Sequence, residues 1–206
     1  MQVSQLTWIL IASYFLGCIA TGFYLVRIRI GKDVREMGSG NIGARNVGRV
    51  LGSSGFWITL VGDFAKGAAA VWVARYFTAD NHVTALAMLA AVLGHVWPIQ
   101  LRFRGGKGIA TSLGALAVCD FHLALTFVGL FAVIYLILRR TTLGGLVAFA
   151  CLPLASMFMD HDPLKVVLIS ILAGLVLLAH RKNLVEEITS FVLRRNPETK
   201  ADQPIK

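Results

Sequence analysis

RFRGGKGIATSLGALAVC, residues 102–119, passes within one stretch from cations and glycines into an apolar run. The apolar part, 107–119, begins inside the polar part and is short for a membrane crossing, which takes about 20 residues. It reads as a short span or a half-helix. Six further apolar runs lie around it, at 6–26, 55–77, 83–101, 121–138, 143–159 and 163–180. The fold class that follows is an all-α integral membrane protein with seven transmembrane helices, the fourth of them short.

Composition supports this. Of the 206 residues 56% are hydrophobic and 15% charged, with mean hydropathy +0.70. Soluble domains are nearer 45–50% apolar and roughly 25% charged. The net charge of +9 does not point to nucleic acid, because the cations flank apolar runs and form no solvated face. Cys18, Cys119 and Cys151 are scattered, with neither disulfide nor metal spacing. Phe15-Leu16-Gly17-Cys18 resembles a lipoprotein cleavage box, but no basic segment precedes it, so 6–26 is expected to be a retained helix.

The basic residues set an orientation. The connection between the first two runs carries Arg27, Arg29, Lys32, Arg35, Arg45 and Arg49. The next basic connection carries Arg102, Arg104 and Lys107, and another has Arg139 and Arg140. With the tail, these hold 17 of the 20 Lys and Arg. The alternate connections are short and acidic, with Asp80, Asp120, Asp160 and Asp162. By the positive-inside rule the basic side is cytoplasmic, with the N-terminus outside and the C-terminus inside. Residues 1–195 read as one membrane domain and 196–206 as a polar cytoplasmic tail. Residues 184–195 have helical apolar spacing suited to a surface helix.

Three polar motifs thus share the basic side. In GSGNIGARNVGR, Gly38, Gly40 and Gly43 alternate with Ser39, Asn41 and Asn46. Such a loop can direct N–H groups at an anion, and Arg45 or Arg49 can clamp a phosphate. In the second motif Gly105, Gly106, Lys107 and Gly108 precede a helix, a setting that also favours an anion. It is not a Walker A loop, since Leu101 and Gly108 occupy positions that need Gly and Ser or Thr. The third motif ends the last run with His180, Arg181, Lys182 and Asn183, and His180 shares a helix face with Asn183. Inside the second run Asp63 and Lys66 stand three apart, as an internal ion pair or with Lys66 on substrate. His95 suits a structural hydrogen bond or a proton carrier.

These motifs, with DFAKG (Asp63 to Gly67) and GHVWPIQLRFRGGKGIAT, resemble the PlsY family of bacterial acyl-phosphate:glycerol-3-phosphate acyltransferases over nearly the whole chain. The resemblance implies a multi-pass protein of the bacterial inner membrane, with its site facing the cytoplasm. It implies acyl transfer from acyl phosphate to the sn-1 hydroxyl of glycerol 3-phosphate, without cofactor or metal. Membrane lipid, and the soluble enzyme that makes acyl phosphate, are the implied neighbours.

Carried over by motif, Lys107, His180, Asn183, Ser39 and Arg49 are the catalytic candidates. Gly38, Gly40, Asn41, Gly43, Arg45, Asn46, Lys66, Gly105, Gly106, Gly108, Thr111 and Thr142 are the substrate- and phosphate-binding ones. Two departures stand out: Arg45 replaces the family's usual Thr, and Val185-Glu186-Glu187 replaces its usual sequence after Asn183. A membrane transporter of a small organophosphate or anion is the alternative reading, though no repeat symmetry favours it.

Overall fold

The structure, a computed structural model, describes residues 3–160, 162–185 and 189. The expected surface helix beyond 185 and the polar tail lie outside the described residues, apart from Thr189. Among the described residues eight α-helices of ten residues or more follow one another: α1 (Val3–Cys18), α2 (Thr21–Ile30), α3 (Ala44–Phe77), α4 (Asn81–Val96), α5 (Ile109–Cys119), α6 (Phe121–Leu138), α7 (Thr141–Asp160) and α8 (Pro163–Ala179). Short 3₁₀ turns lie at Val34–Glu36 and Ile99–Leu101. No strand occurs among the described residues.

Among the described residues five segments are long and apolar enough to cross a membrane: 3–30, 44–77, 81–101, 121–138 and 141–159. Helices α5 and α8 are apolar but shorter. At 1.5 Å per residue, α5 is only about 16 Å long, half the thickness of a bilayer's hydrocarbon core. The outer faces suit lipid: Trp57, Trp72, Val133, Ile137 and Leu154 are all exposed. So much contiguous apolar surface is untenable in water.

Three expected boundaries move, the run at 83–101 being helical only to Val96, with a 3₁₀ turn at Ile99–Leu101. The run at 6–26 is not one helix, because α1 stops at Cys18 and α2 begins at Thr21. The run at 55–77 is the second part of α3, which begins at Ala44 and bends at Gly52 (φ 77°). Gly52, Ser53 and Ser54 are exposed and the Gly52 backbone is non-helical, so α3 is two helical stretches joined at this kink.

Close backbone contacts fix the centre. A Cβ at Gly17 would run into the Ala91 carbonyl, and one at Gly94 into the Tyr14 carbonyl, so α1 and α4 touch through glycine from both sides. Gly67 meets the Thr111 carbonyl and Gly114 the Phe64 carbonyl, which joins α3 to α5 in the same way. Small residues at such crossings maximise van der Waals contact where lipid removes the hydrophobic drive. The main core gathers Met88, Val92, Leu116, Leu123, Phe149, Leu152, Leu172 and Val176 from α4 to α8. A second cluster, Ala20, Val26, Val34, Ile42, Val47 and Leu101, supports the first two polar motifs.

Candidate functional site

The first polar loop is organised around Asn46. This residue is buried, and its Nδ2 donates to the carbonyls of Val34 (3.2 Å), Met37 (2.9 Å) and Asn41 (2.9 Å). Its Oδ1 accepts the Ser39 N–H at 2.8 Å. The amide is therefore spent on shaping the loop, not offered to a ligand. Gly38 (φ 56°) must be glycine, since it is left-handed and a Cβ there would strike Asn46 Oδ1. Ser39 and Gly40 are exposed at the tip, and Asn41 is half-buried. Asp33 and Arg35 brace the loop from below: Arg35 donates to both Asp33 carboxylate oxygens and to the Leu101 carbonyl (2.9 Å). The Arg35 guanidinium holds the Asp33 carboxyl below its usual range.

Gly43 is the N-cap of α3, in extended backbone and with no side chain closing the cap. The exposed Arg45 lies in the first turn, and its Nη1 donates to Thr142 Oγ1 at 2.6 Å, reaching the start of α7. Arg49, one turn further, is also exposed. Both line a shallow depression with Gly48, Gly52, Ser53 and Phe56.

The second loop departs from expectation. The N–H groups of Gly105 and Gly106 do not converge on an anion; they bond the carbonyls of Val96 (3.1 Å) and His95 (3.0 Å). A Cβ at Gly106 would overlap the His95 ring, so these glycines serve close packing on the end of α4. Gly108 (φ 87°) is the N-cap of α5, again without a side-chain cap. An uncapped helix start leaves N–H groups and a partial positive charge at the loop. Thr111 is fully buried against α3, within the bundle.

The third motif meets the second directly. Lys107 Nζ donates to Asn183 Oδ1 across 76 residues of sequence. His180, three residues before Asn183, is 4% exposed, and its Nδ1 lies 2.8 Å from the Val176 carbonyl. A carbonyl only accepts, so Nδ1 carries the proton and Nε2 keeps its lone pair. Arg45–Thr142, Arg35–Leu101 and Lys107–Asn183 thus bring all three polar motifs, and the start of α7, to one end of the bundle.

Lys66 is elsewhere. It is buried, 2.9 Å from Asp63 Oδ1, and donates to the Ile19 carbonyl at 2.6 Å. Of the two readings of Asp63–Lys66, an internal ion pair or a substrate contact for Lys66, the ion pair forms. His95 is 3.8 Å from the same carboxylate oxygen. Arg35 and Gln100 are the residues that sequence reasoning missed; Asp33-Val34-Arg35 offered a faint local signal, and Gln100 none. No group of three or more His, Cys, Asp or Glu suited to a metal occurs among the described residues.

The opposite end of the bundle is acidic. Asp80, Asp120 and Asp162 each cap a helix start, of α4, α6 and α8 respectively, through a carboxylate. Two also take side chains from other helices: His82 Nε2 lies 2.8 Å from Asp162, and Lys165 Nζ pairs with Asp120 at 2.5 Å. They line a cavity of about 590 Å³ with Arg75, whose Nη2 donates to the Cys119 carbonyl at 2.9 Å.

Known proteins resemble this one throughout. The glycerol-3-phosphate acyltransferase family pattern matches residues 7–190. A relative from Desulfitobacterium hafniense, glycerol-3-phosphate acyltransferase 1, is 41% identical over 188 residues, covering 91% of this chain and 93% of that one. A Bacillus cereus protein of the same name is 40% identical, covering 84% and 95%. The crystal structure of PlsY, an integral membrane glycerol 3-phosphate acyltransferase, in its glycerol 3-phosphate form superposes with a TM-score of 0.82. It shares 31% identity, over 90% of this chain and 92% of that one. The lysophosphatidic acid form gives 0.80 and 29%, with the same coverage.

Proposed function

The chain belongs to the glycerol-3-phosphate acyltransferase family, the one that PlsY represents, and from that premise we propose the reaction and the site. It is an integral membrane acyltransferase of phospholipid synthesis; membership in this family displaces the transporter reading. The proposed donor is acyl phosphate, and the proposed acceptor is the sn-1 hydroxyl of glycerol 3-phosphate. The products are lysophosphatidic acid and inorganic phosphate.

The observation that carries the site assignment is the Lys107–Asn183 hydrogen bond, which joins two polar motifs at the end where the glycine loops meet. The acceptor hydroxyl oxygen attacks the acyl carbonyl carbon, forming the ester bond. The bond from that carbon to the phosphate oxygen breaks, and phosphate leaves with the electron pair. Lys107 and Arg49 offset phosphate charge, and the uncapped starts of α3 and α5 add to it. Ser39 and Asn183 orient substrate by hydrogen bonding. The hydroxyl proton goes to His180 Nε2 or to a substrate phosphate oxygen. Asn46, Gly105 and Gly106 build the loops that carry these groups.

For placement, the proposal is seven crossings of the bacterial inner membrane, with α5 as the short fourth and α8 as the last. The N-terminus lies outside, and the glycine loops lie at the cytoplasmic face. The basic loops at the site end and the aspartates at the other favour this orientation. The acyl chain enters from lipid, while glycerol 3-phosphate comes from the cytoplasm. The soluble enzyme that makes acyl phosphate is the proposed supplier.

The test uses purified protein with a long-chain acyl phosphate. Phosphate release that requires glycerol 3-phosphate, with stoichiometric lysophosphatidic acid, is the expected result. Release indifferent to glycerol 3-phosphate, or no lysophosphatidic acid, overturns the reading.

A further inference from the structure

The break between α1 and α2 lies among apolar residues, Cys18, Ile19 and Ala20. Ending a helix there strips carbonyls of their i+4 partners. In lipid no water replaces them, and an unsatisfied backbone group is costly. The Ile19 carbonyl takes the Thr21 N–H at 3.1 Å, and two side chains from distant elements complete the repair. Gln100 Nε2 donates to the Cys18 carbonyl, and Lys66 Nζ donates to the Ile19 carbonyl at 2.6 Å.

The location of these donors matters more than the repair. Gln100 sits in the 3₁₀ turn immediately before the second polar loop. Its neighbour Leu101 packs with Val26, Val34, Ile42 and Val47, the cluster beneath the first loop, and the Leu101 carbonyl takes the Arg35 guanidinium. Lys66 is fixed by Asp63 within α3, the helix that continues the first loop. Tyr14 Oη also donates to the Trp97 carbonyl at 2.8 Å, so α1 is tied to the same turn region from its own side. Both glycine loops therefore take their position from one junction.

We infer that Gln100 and Lys66 are positioning residues for the acyl transfer: by holding the two carbonyls at the helix break they set the first phosphate loop in register with the Lys107 loop. The catalytic consequence rests on the acyltransferase reading above; the geometric one does not. This assigns Lys66 a task distinct from substrate contact. Gln100 has an amide donor at the right reach, which a side chain of the same length without a donor cannot replace.

The experiment pairs kinetics with a distance that needs no turnover. Spin labels at Lys32→Cys and Arg104→Cys, both exposed positions outside the site, report the separation of the two loops in a background without the native cysteines. Gln100→Met keeps length and shape and removes the donor. It is expected to broaden or shift the distance distribution in the absence of substrate. It should also lower kcat about tenfold or more, as misplacement of reacting groups by a fraction of an ångström to 1 Å does. Lys66→Met should do the same, whereas Lys66→Arg, which can still bond both Asp63 and the carbonyl, should restore the narrow distribution and most of kcat. If Gln100→Met and Lys66→Met leave the distribution unchanged while the wild type is active, the inference is overturned. A raised KM for glycerol 3-phosphate in Lys66→Met, with loops unmoved and kcat intact, would overturn it in favour of a substrate contact. An inactive wild type with loops that move as expected would instead overturn the acyltransferase reading and leave the junction standing.

Discussion

The two ends of this bundle begin their helices in opposite ways. At the site end, α3 and α5 start from Gly43 and Gly108, and no side chain closes either cap. At the other end, α4, α6 and α8 start from Asp80, Asp120 and Asp162, whose carboxylates bond the first-turn N–H groups. An aspartate satisfies a helix start with the protein's own negative charge. A glycine leaves that start open to a negative charge from outside. One end is thus finished by the chain itself, and in the proposed function the other is left for an anionic substrate to finish.

The sharpest way to break this contrast is to remove the cation that the open end supplies. Lys107→Ala should lower kcat/KM by roughly 10²-fold or more, in protein that remains folded and inserted. Near-normal turnover would mean that the open end does not carry the chemistry. A subtler change installs the far end's solution at the near one. Gly43 has φ −76°, which any residue adopts, so Gly43→Asp should cap α3 and raise thermal stability slightly. The same carboxylate should compete with substrate anion and raise KM for glycerol 3-phosphate about tenfold. Lower stability together with unchanged KM would contradict the comparison.

Arg45→Thr comes next. Loss of an exposed cation that holds Thr142 should raise KM a few-fold and leave kcat within a few-fold, the pattern of lost uniform binding. A double-mutant cycle with Thr142→Val measures how much of that passes through the bridge to α7. The smallest effect on activity belongs to the far end. Asp162→Asn keeps a capping oxygen but removes the charge facing His82, and should lower the melting temperature slightly with kcat/KM unchanged. The hydrogen bond from His82 holds the Asp162 carboxyl below its ordinary value. A depressed carboxylate contributes stability above its unfolded pKa and loses it as pH falls through the folded one. The gap in melting temperature between wild type and Asp162→Asn should therefore close below about pH 4.

Apolar runs showed where helices lie, because a segment of such composition has few alternatives in lipid. All seven expected runs contain helix, in the expected order. The grouping of the polar motifs was legible from charge, since Arg and Lys fell on alternate connections. What stayed hidden was long-range. Nothing in Cys18-Ile19-Ala20 announces a break, because the donors that reach the Cys18 and Ile19 carbonyls, Gln100 and Lys66, come from far along the chain. Asn46 looked like a ligand because Asn near glycines suits phosphate; only the folded loop reveals that three carbonyls claim its amide. Gly105 and Gly106 had the right composition for an anion nest, yet their N–H groups turn to the end of α4.

The glycine crossings bear on how this sequence can drift. At Gly17, Gly94, Gly67 and Gly114 even one added methyl group meets a neighbouring helix's backbone, which has no rotamer with which to yield. A library of random variants selected for growth should therefore show two separate sets of intolerant positions. One surrounds the polar loops and is intolerant because of chemistry. The other runs through the lipid-buried centre, at residues with no side chain at all, and is intolerant because of volume. Between them, the bare faces of α6 and the outer stripe of α3 should exchange one apolar residue for another almost freely. The history of the protein is then written most permissively on the surface that touches lipid.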